Sequence, residues 1–164
     1  MTKINRGYLD KIPEEELKNC AEHAVRNAYQ YIEDAKALAR KRSYGHAYAL
    51  LVLSVEEAAK ALACKERMDG KLDRGKFKDF FITHKSKQKD EILEQMRKLH
   101  ENMQKRKEVG LYVDFTPECK LISPDVIDKE ETEKLLGYVR SLYAIVHDTI
   151  HNPIIEDEIL YYMS

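Results

Sequence analysis

The stretch from Ala47 to Cys64, AYALLVLSVEEAAKALAC, constrains this chain more than any other. It has the length of a short membrane span, but Glu56, Glu57 and Lys60 stand near its middle. Each of those charges is costly in lipid. The stretch is apolar almost all round at helical spacing, so it reads as the central helix of a soluble bundle, running from about His46 to Met68. A charge among Ala, Leu and Val is expensive unless it is paired. The same stretch therefore predicts polar partners on neighbouring helices.

Those helices are legible in the periodicity. Pro13 followed by Glu14, Glu15 and Glu16 is a favourable helix start, because acids near the N-terminus complement the macrodipole. Ala21, Ala24, Ala28, Tyr31, Ala35 and Leu38 then recur at spacings of three and four as far as Lys41. That face of small residues admits another helix at close range. Ser43-Tyr44-Gly45 reads as the turn into the central helix, and Gly70 as its stop. Asp73 to Ile82 reads as a short extra helix carrying Phe77, Phe80 and Phe81. A charged rod from Thr83 to Val109 carries the narrow stripe Ile92, Leu93, Met96, Leu99 and Met103, with Gly110 as its end. Residues 111–117 read as one extended connection, since LYVDF is β-like and Pro117 disfavours helix. The last long helix begins near Pro124 or Asp128 and ends at His151. Its stripe is Leu135, Leu136, Val139, Leu142, Tyr143, Val146 and Ile150. Asn152-Pro153 stops it, and residues 154–163 read as a short tail helix. The fold class is all-α, a four-helix bundle.

Composition bounds what such a bundle does. At 164 residues with a net charge of -1, one domain over 1–164 is expected. The balance of charge removes the simplest argument for nucleic-acid binding, a strongly basic domain, while leaving a local basic patch open. Cys20, Cys64 and Cys119 are odd in number and widely spaced. They read as reduced thiols in a cytoplasmic protein. The opening MTKINRGYLDKIPEEE has no apolar region of the signal-peptide kind. No histidine has a glutamate three residues before it, so a di-iron bundle is not expected. Neither a metal nor another cofactor is implied.

Four constellations carry possible chemistry. Glu56 and Lys60 stand at i, i+4, and Glu57 and Lys60 at i, i+3, so these charges can meet on one face. They read either as a buried network that fixes helix register or as a polar site. His84 and Lys87 lie in THKSK, one turn apart behind Thr83, which is placed to cap a helix. Histidine moves protons near neutral pH, and a helix N-terminus favours phosphate. The plain alternative is a solvated basic turn. Lys107 precedes an extended segment that puts Tyr112 and Asp114 on one side, although a cationic helix end is accounted for by the dipole alone. Arg140 and His147, seven apart, share a face of the last helix. An R-x4–6-H pattern is the catalytic signature of many helical ribonucleases of the HEPN group. About one such match is expected by chance in a chain like this, and Arg40-x5-His46 is a second one.

Four stretches in order resemble the AbiV family of abortive-infection proteins within the HEPN superfamily. They are NAYQYIEDAKAL (27–38), ALLVLSVEEAAKAL (49–62), FKDFFITHKSK (77–87) and KEVGLYVDF (107–115). Ala59 stands where the family usually has glycine or a similar small residue. The resemblance implies a HEPN-like four-helix fold and a homodimer. It implies defence against phage by blocking growth or translation, and metal-independent RNA cleavage. In some relatives a nucleotidyltransferase-like antitoxin restrains the toxin. Carried over residue by residue, the family-like polar positions are Glu56, Glu57, Lys60, His84, Lys87, Lys107, Tyr112 and Asp114, with Asn27 and Asp34 on the first helix.

Two functions follow. In the first, the chain is an RNA-cleaving toxin. His84 serves as acid or base, Lys87 and Lys107 hold the phosphate, and Glu57 orients the histidine or Lys60. Alternatively, Arg140 and His147 fill those roles, supplied twice by a dimer. In the second, the chain is a non-catalytic protein that binds a phage or host partner through its bundle surface. Its buried charges are then structural, and Lys60→Met is expected to lower stability strongly.

Overall fold

The computed structural model describes residues 11–73, 91–118 and 120–151. The first long helix, α1, spans Glu14–Arg40. Pro13 precedes it in extended conformation and its carbonyl accepts from Leu17 N–H at 3.1 Å. Three glutamates occupy the first turn. Leu17, Ala21, Ala24, Val25, Ala28, Ile32 and Ala35 are buried. Ile32 thus takes the place that periodicity assigned to Tyr31, which is half-buried.

The turn out of α1 lies two residues earlier than expected. Ser43 N–H donates to the Leu38 carbonyl at 3.0 Å and Arg42 N–H to that of Ala39 at 2.9 Å. Arg42 is left-handed at φ 61°. These two bonds close a helix C-terminus in the usual way, but with arginine where glycine is the common residue. The absence of glycine at that position is why the turn was assigned to Gly45.

The central helix, α2, spans Tyr44–Met68 and packs against every other long helix among the described residues. Gly70 closes it as expected, at φ 70°. Lys71 N–H donates to the Glu66 carbonyl at 2.9 Å there. Helices α1 and α2 run antiparallel. Alanines on both sides let them approach, and the buried Ser54 hydroxyl donates to the Ala28 carbonyl at 2.8 Å. Burying that hydroxyl with a partner removes the cost it would carry alone.

The next helix among the described residues, α3, spans Glu91–Leu111. Gly110, expected to end it, lies inside it. The reason is a crossing. A Cβ on Gly110 would collide with the Gly45 carbonyl oxygen, and one on Gly45 would lie 2.7 Å from the Pro124 Cβ. The two glycines let α3, the first turn of α2 and Pro124 meet backbone to backbone. Leu111 is therefore helical, and the extended connection shortens to β1 (Asp114–Phe115), paired antiparallel with β2 (Leu121–Ile122). A 3-10 turn over Pro124–Val126 follows, then α4, Lys129–His151. The Asp128 carboxylate caps α4 by accepting from Glu131 N–H at 2.9 Å.

The core falls into two clusters along α2. One gathers Leu17, Ala24, Ala61, Cys64, Leu72 and Val146. The other gathers Ile32, Tyr48, Leu51, Met103, Ile127, Leu135 and Val139. Among the described residues no helix is long and apolar enough to cross a membrane. The expected helix at Asp73–Ile82 beyond Asp73 itself, the start at Thr83, the tail helix and Cys119 lie outside the described residues. So do the side chains of Ile92, Leu93, Met96 and Leu99.

Candidate functional site

Adjacent residues on a helix point about 100° apart, and this separates the two carboxylates at the middle of α2. Glu56 turns toward α3. Its Oε1 accepts from Lys107 Nζ at 2.6 Å and from Gln104 Nε2. The side chains of Glu56 and Lys107 are 9% and 16% exposed. Glu57 turns toward α1. Its Oε2 accepts from Asn27 Nδ2 at 3.3 Å, and its Oε1 pairs with Lys60 Nζ. Of the two spacings that could bring Lys60 to a carboxylate, the structure uses i, i+3. The Lys60 side chain is 32% exposed. The expected network thus exists, split into a buried half between α2 and α3 and a more open half on the α1 side.

Asp34, Tyr112 and Asp114, also carried over from the family, have other partners or surroundings among the described residues. Asp34 is exposed and accepts from Gln30 Nε2 at 2.9 Å, one turn away. Tyr112 is 64% exposed. The backbone of Asp114 pairs with Ile122. His84 and Lys87 lie outside the described residues.

A third ionic link has no local signal in the sequence. Arg106 grips Glu131 with both arms of its guanidinium, Nε to Oε1 at 2.7 Å and NH2 to Oε2. That bond raises the Arg106 pKa above its ordinary value. It ties α3 to the start of α4. Twenty-five residues separate the partners, so no local spacing announces them.

The outer face of α4 is different in kind. Arg140 is exposed and pairs with no carboxylate among the described residues. His147 stands two turns on, with its side chain 44% exposed and Nδ1 3.6 Å from Asp148 Oδ1. Its ring lies 5.8 Å from that of Tyr143 and 4.6 Å from that of His151. Tyr143 in turn lies 5.7 Å from Tyr29 on α1. A row of four rings therefore runs along the seam of α1 and α4. The other R-x4–6-H match spans the α1–α2 turn, where His46 Nδ1 meets Ser43 Oγ at 3.0 Å. Among the described residues no cluster of three or more His, Cys, Asp or Glu is placed to hold a metal ion.

These two groups suit different work. The interior charges satisfy one another within the chain, which fits holding helices in register. Arg140 is exposed and His147 partly so, and an arginine two turns from a histidine on one helix face can bind a phosphate while the histidine moves a proton.

A family model described as AbiV, of the HEPN group, matches residues 16–106. The match covers more than half of the chain and takes in nearly all of α1, the whole of α2 and most of α3. Asn27, Asp34, Glu56, Glu57, Lys60, His84 and Lys87 fall inside it. Lys107, Tyr112, Asp114, Arg140 and His147 fall beyond it. No curated protein and no solved structure matches the chain significantly.

Proposed function

The chain belongs to the AbiV family of HEPN proteins, and from that premise we propose that it is an abortive-infection protein that cleaves RNA without a metal ion and so blocks translation during phage infection. The observation that supports the reading is the placing of Arg140 and His147 on one solvent-facing side of α4.

Metal-independent cleavage needs a base to take the 2′-OH proton, an acid to protonate the leaving 5′-oxygen, and positive charge on the phosphate. His147 takes the proton as the 2′-oxygen attacks phosphorus. Arg140 holds the phosphoryl oxygens with paired N–H donors. The acid comes from His147 of a second copy, so a homodimer formed through α4 completes the site. Tyr29 and Tyr143 offer ring faces to a nucleobase beside it. The alternative assignment, His84 with Lys87 and Lys107, receives less support, because the Lys107 ammonium is committed to Glu56.

The test is cleavage of total RNA by purified protein in EDTA. His147→Ala and Arg140→Ala are each expected to slow cleavage at least 100-fold, the usual size of a lost acid–base group, with melting unchanged. His84→Ala is expected to leave it intact. Cleavage that survives His147→Ala and dies with His84→Ala transfers the site to the THKSK segment. A well-folded wild type that cleaves no RNA at any salt leaves the non-catalytic interaction protein as the better reading.

A further inference from the structure

Cys20 and Cys64 face each other across the α1–α2 interface, and the register of that interface shows it. Asn27 and Glu57 are hydrogen-bonded across it, and Ser54 reaches Ala28. In an antiparallel pair, seven residues toward the start of α1 and seven toward the end of α2 lead from Asn27 and Glu57 to Cys20 and Cys64. Seven residues are close to two turns, so both side chains return to nearly the same face. Cys64 is fully buried, and half-exposed Cys20 packs against the cluster that contains it. Ala21, Ala24 and Ala61 border the pair. Small residues bring helix backbones closer than the ordinary 8–10 Å, which a disulfide with its short Cα separation requires.

We propose that Cys20 and Cys64 form a peroxide-oxidisable dithiol site, Cys20 attacking the oxidant and Cys64 resolving it to a disulfide that clamps α1 to α2. The site is independent of the ribonuclease reading.

The electrostatics agree with this division. The Cys64 thiol donates to the Cys20 sulfur, and that bond holds the Cys20 pKa down at about 7. Burial and Glu57 oppose the shift, and Lys60 assists it. Cys64 is pushed up, first by giving that bond and then by burial. The lowered pKa favours the thiolate of Cys20, the reactive form, over that of Cys64. The chemistry balances with a hydroperoxide as oxidant. The Cys20 thiolate attacks one peroxide oxygen, the O–O bond breaks, and the departing hydroxide takes up a proton to leave as water. Sulfur, oxidised by two electrons, is left as sulfenic acid. The Cys64 sulfur then attacks the Cys20 sulfur, the S–O bond breaks, and the Cys64 proton leaves with that hydroxyl as a second water.

The experiment exposes native protein to hydrogen peroxide, removes the excess with catalase, and alkylates with iodoacetamide after unfolding in urea. Mass spectrometry and a peptide map then read each cysteine. The expected product has lost about 2 Da, links Cys20 to Cys64, carries the alkyl group on Cys119, and reverts with dithiothreitol. Cys64→Ser is expected to give no link and a dimedone adduct on Cys20. Should wild type emerge with Cys20 and Cys64 both alkylated while Cys119 is oxidised, or with a bridge to Cys119, the pairing is overturned. The wild-type arm decides the matter even where the serine variant does not fold.

Discussion

Replacing Lys107 by methionine tests the physical account of the bundle most sharply. Methionine keeps the apolar stem and removes the ammonium. The carboxylate left behind, Glu56, has a side chain only 9% exposed. Breaking one partner out of a buried pair costs about 3–5 kcal/mol, because the other charge stays in a poor solvent. Gln104 still donates to the same oxygen, and a hydrogen bond to the charged group holds the cost near or just below the low end of that range. The expected net loss is therefore about 2–3 kcal/mol. For a chain of this size each kcal/mol moves the melting point by about 2–4 °C, so a fall of roughly 4–12 °C is expected. Urea unfolding and thermal melting at pH 7 read it. Adding Glu56→Gln to Lys107→Met removes the carboxylate charge that Lys107 had balanced and is expected to recover about half the loss. Lys60→Met is the contrast. Its side chain is 32% exposed, so the expected cost is below about 1 kcal/mol. The non-catalytic reading of the sequence, which takes Lys60 as buried, expects a strong loss instead. A Lys107→Met protein as stable as wild type, or one made worse by Glu56→Gln, would refute the reasoning.

Two further outcomes are expected. Gly137→Ala meets nothing within 4 Å in α4 and should stabilise by roughly 0.5–1 kcal/mol through helix propensity. Gly110→Ala carries the same propensity gain but drives a Cβ into the Gly45 carbonyl, and overpacking of about 1–3 kcal/mol outweighs it. Opposite signs in urea midpoints confirm the close crossing, and two gains refute it. Burial holds the Tyr48 hydroxyl above its ordinary pKa, with Glu131 adding to the rise and Arg106 opposing it. The unfolded chain therefore releases that proton first as pH rises. The stability tied to Tyr48 is complete below the unfolded value and is lost as pH climbs through the folded one. Urea midpoints should fall between about pH 9 and pH 11, and Tyr48→Phe should flatten the fall. An unchanged slope in Tyr48→Phe would rule out this source.

Much of the fold was legible because the signals that start and stop helices are local. Pro13 with its three glutamates, the left-handed Gly70, and the apolar spacing of α4 each act within a turn or two of chain. Where the structure departs from the local signals, a distant partner changes the role of a residue. Gly110 looks like a terminator by itself, yet it is the gap through which α2 and α3 meet. Gly45 looks like a turn residue, but the left-handed position was filled by Arg42, which a search for glycine passes over. The candidate site divides the same way. That Arg140 and His147 share a face follows from seven-residue spacing. That this face is turned to solvent follows only from how α4 packs.

Taken alone, the sequence decided that the chain is a helical bundle, that the charges in its central helix need partners, and that its pattern resembles AbiV. Those conclusions rest on spacings of three, four and seven residues, which a helix turns directly into geometry. Only the tertiary structure decided that Glu56 pairs with Lys107 rather than Lys60, that Arg106 holds Glu131, and that Cys20 lies over Cys64. Such contacts join residues 25 to 51 positions apart. They depend on how each helix is rotated and advanced against its neighbour. That rotation is set by the small-residue and apolar faces of all the helices packing together, a property no single stretch of the chain contains.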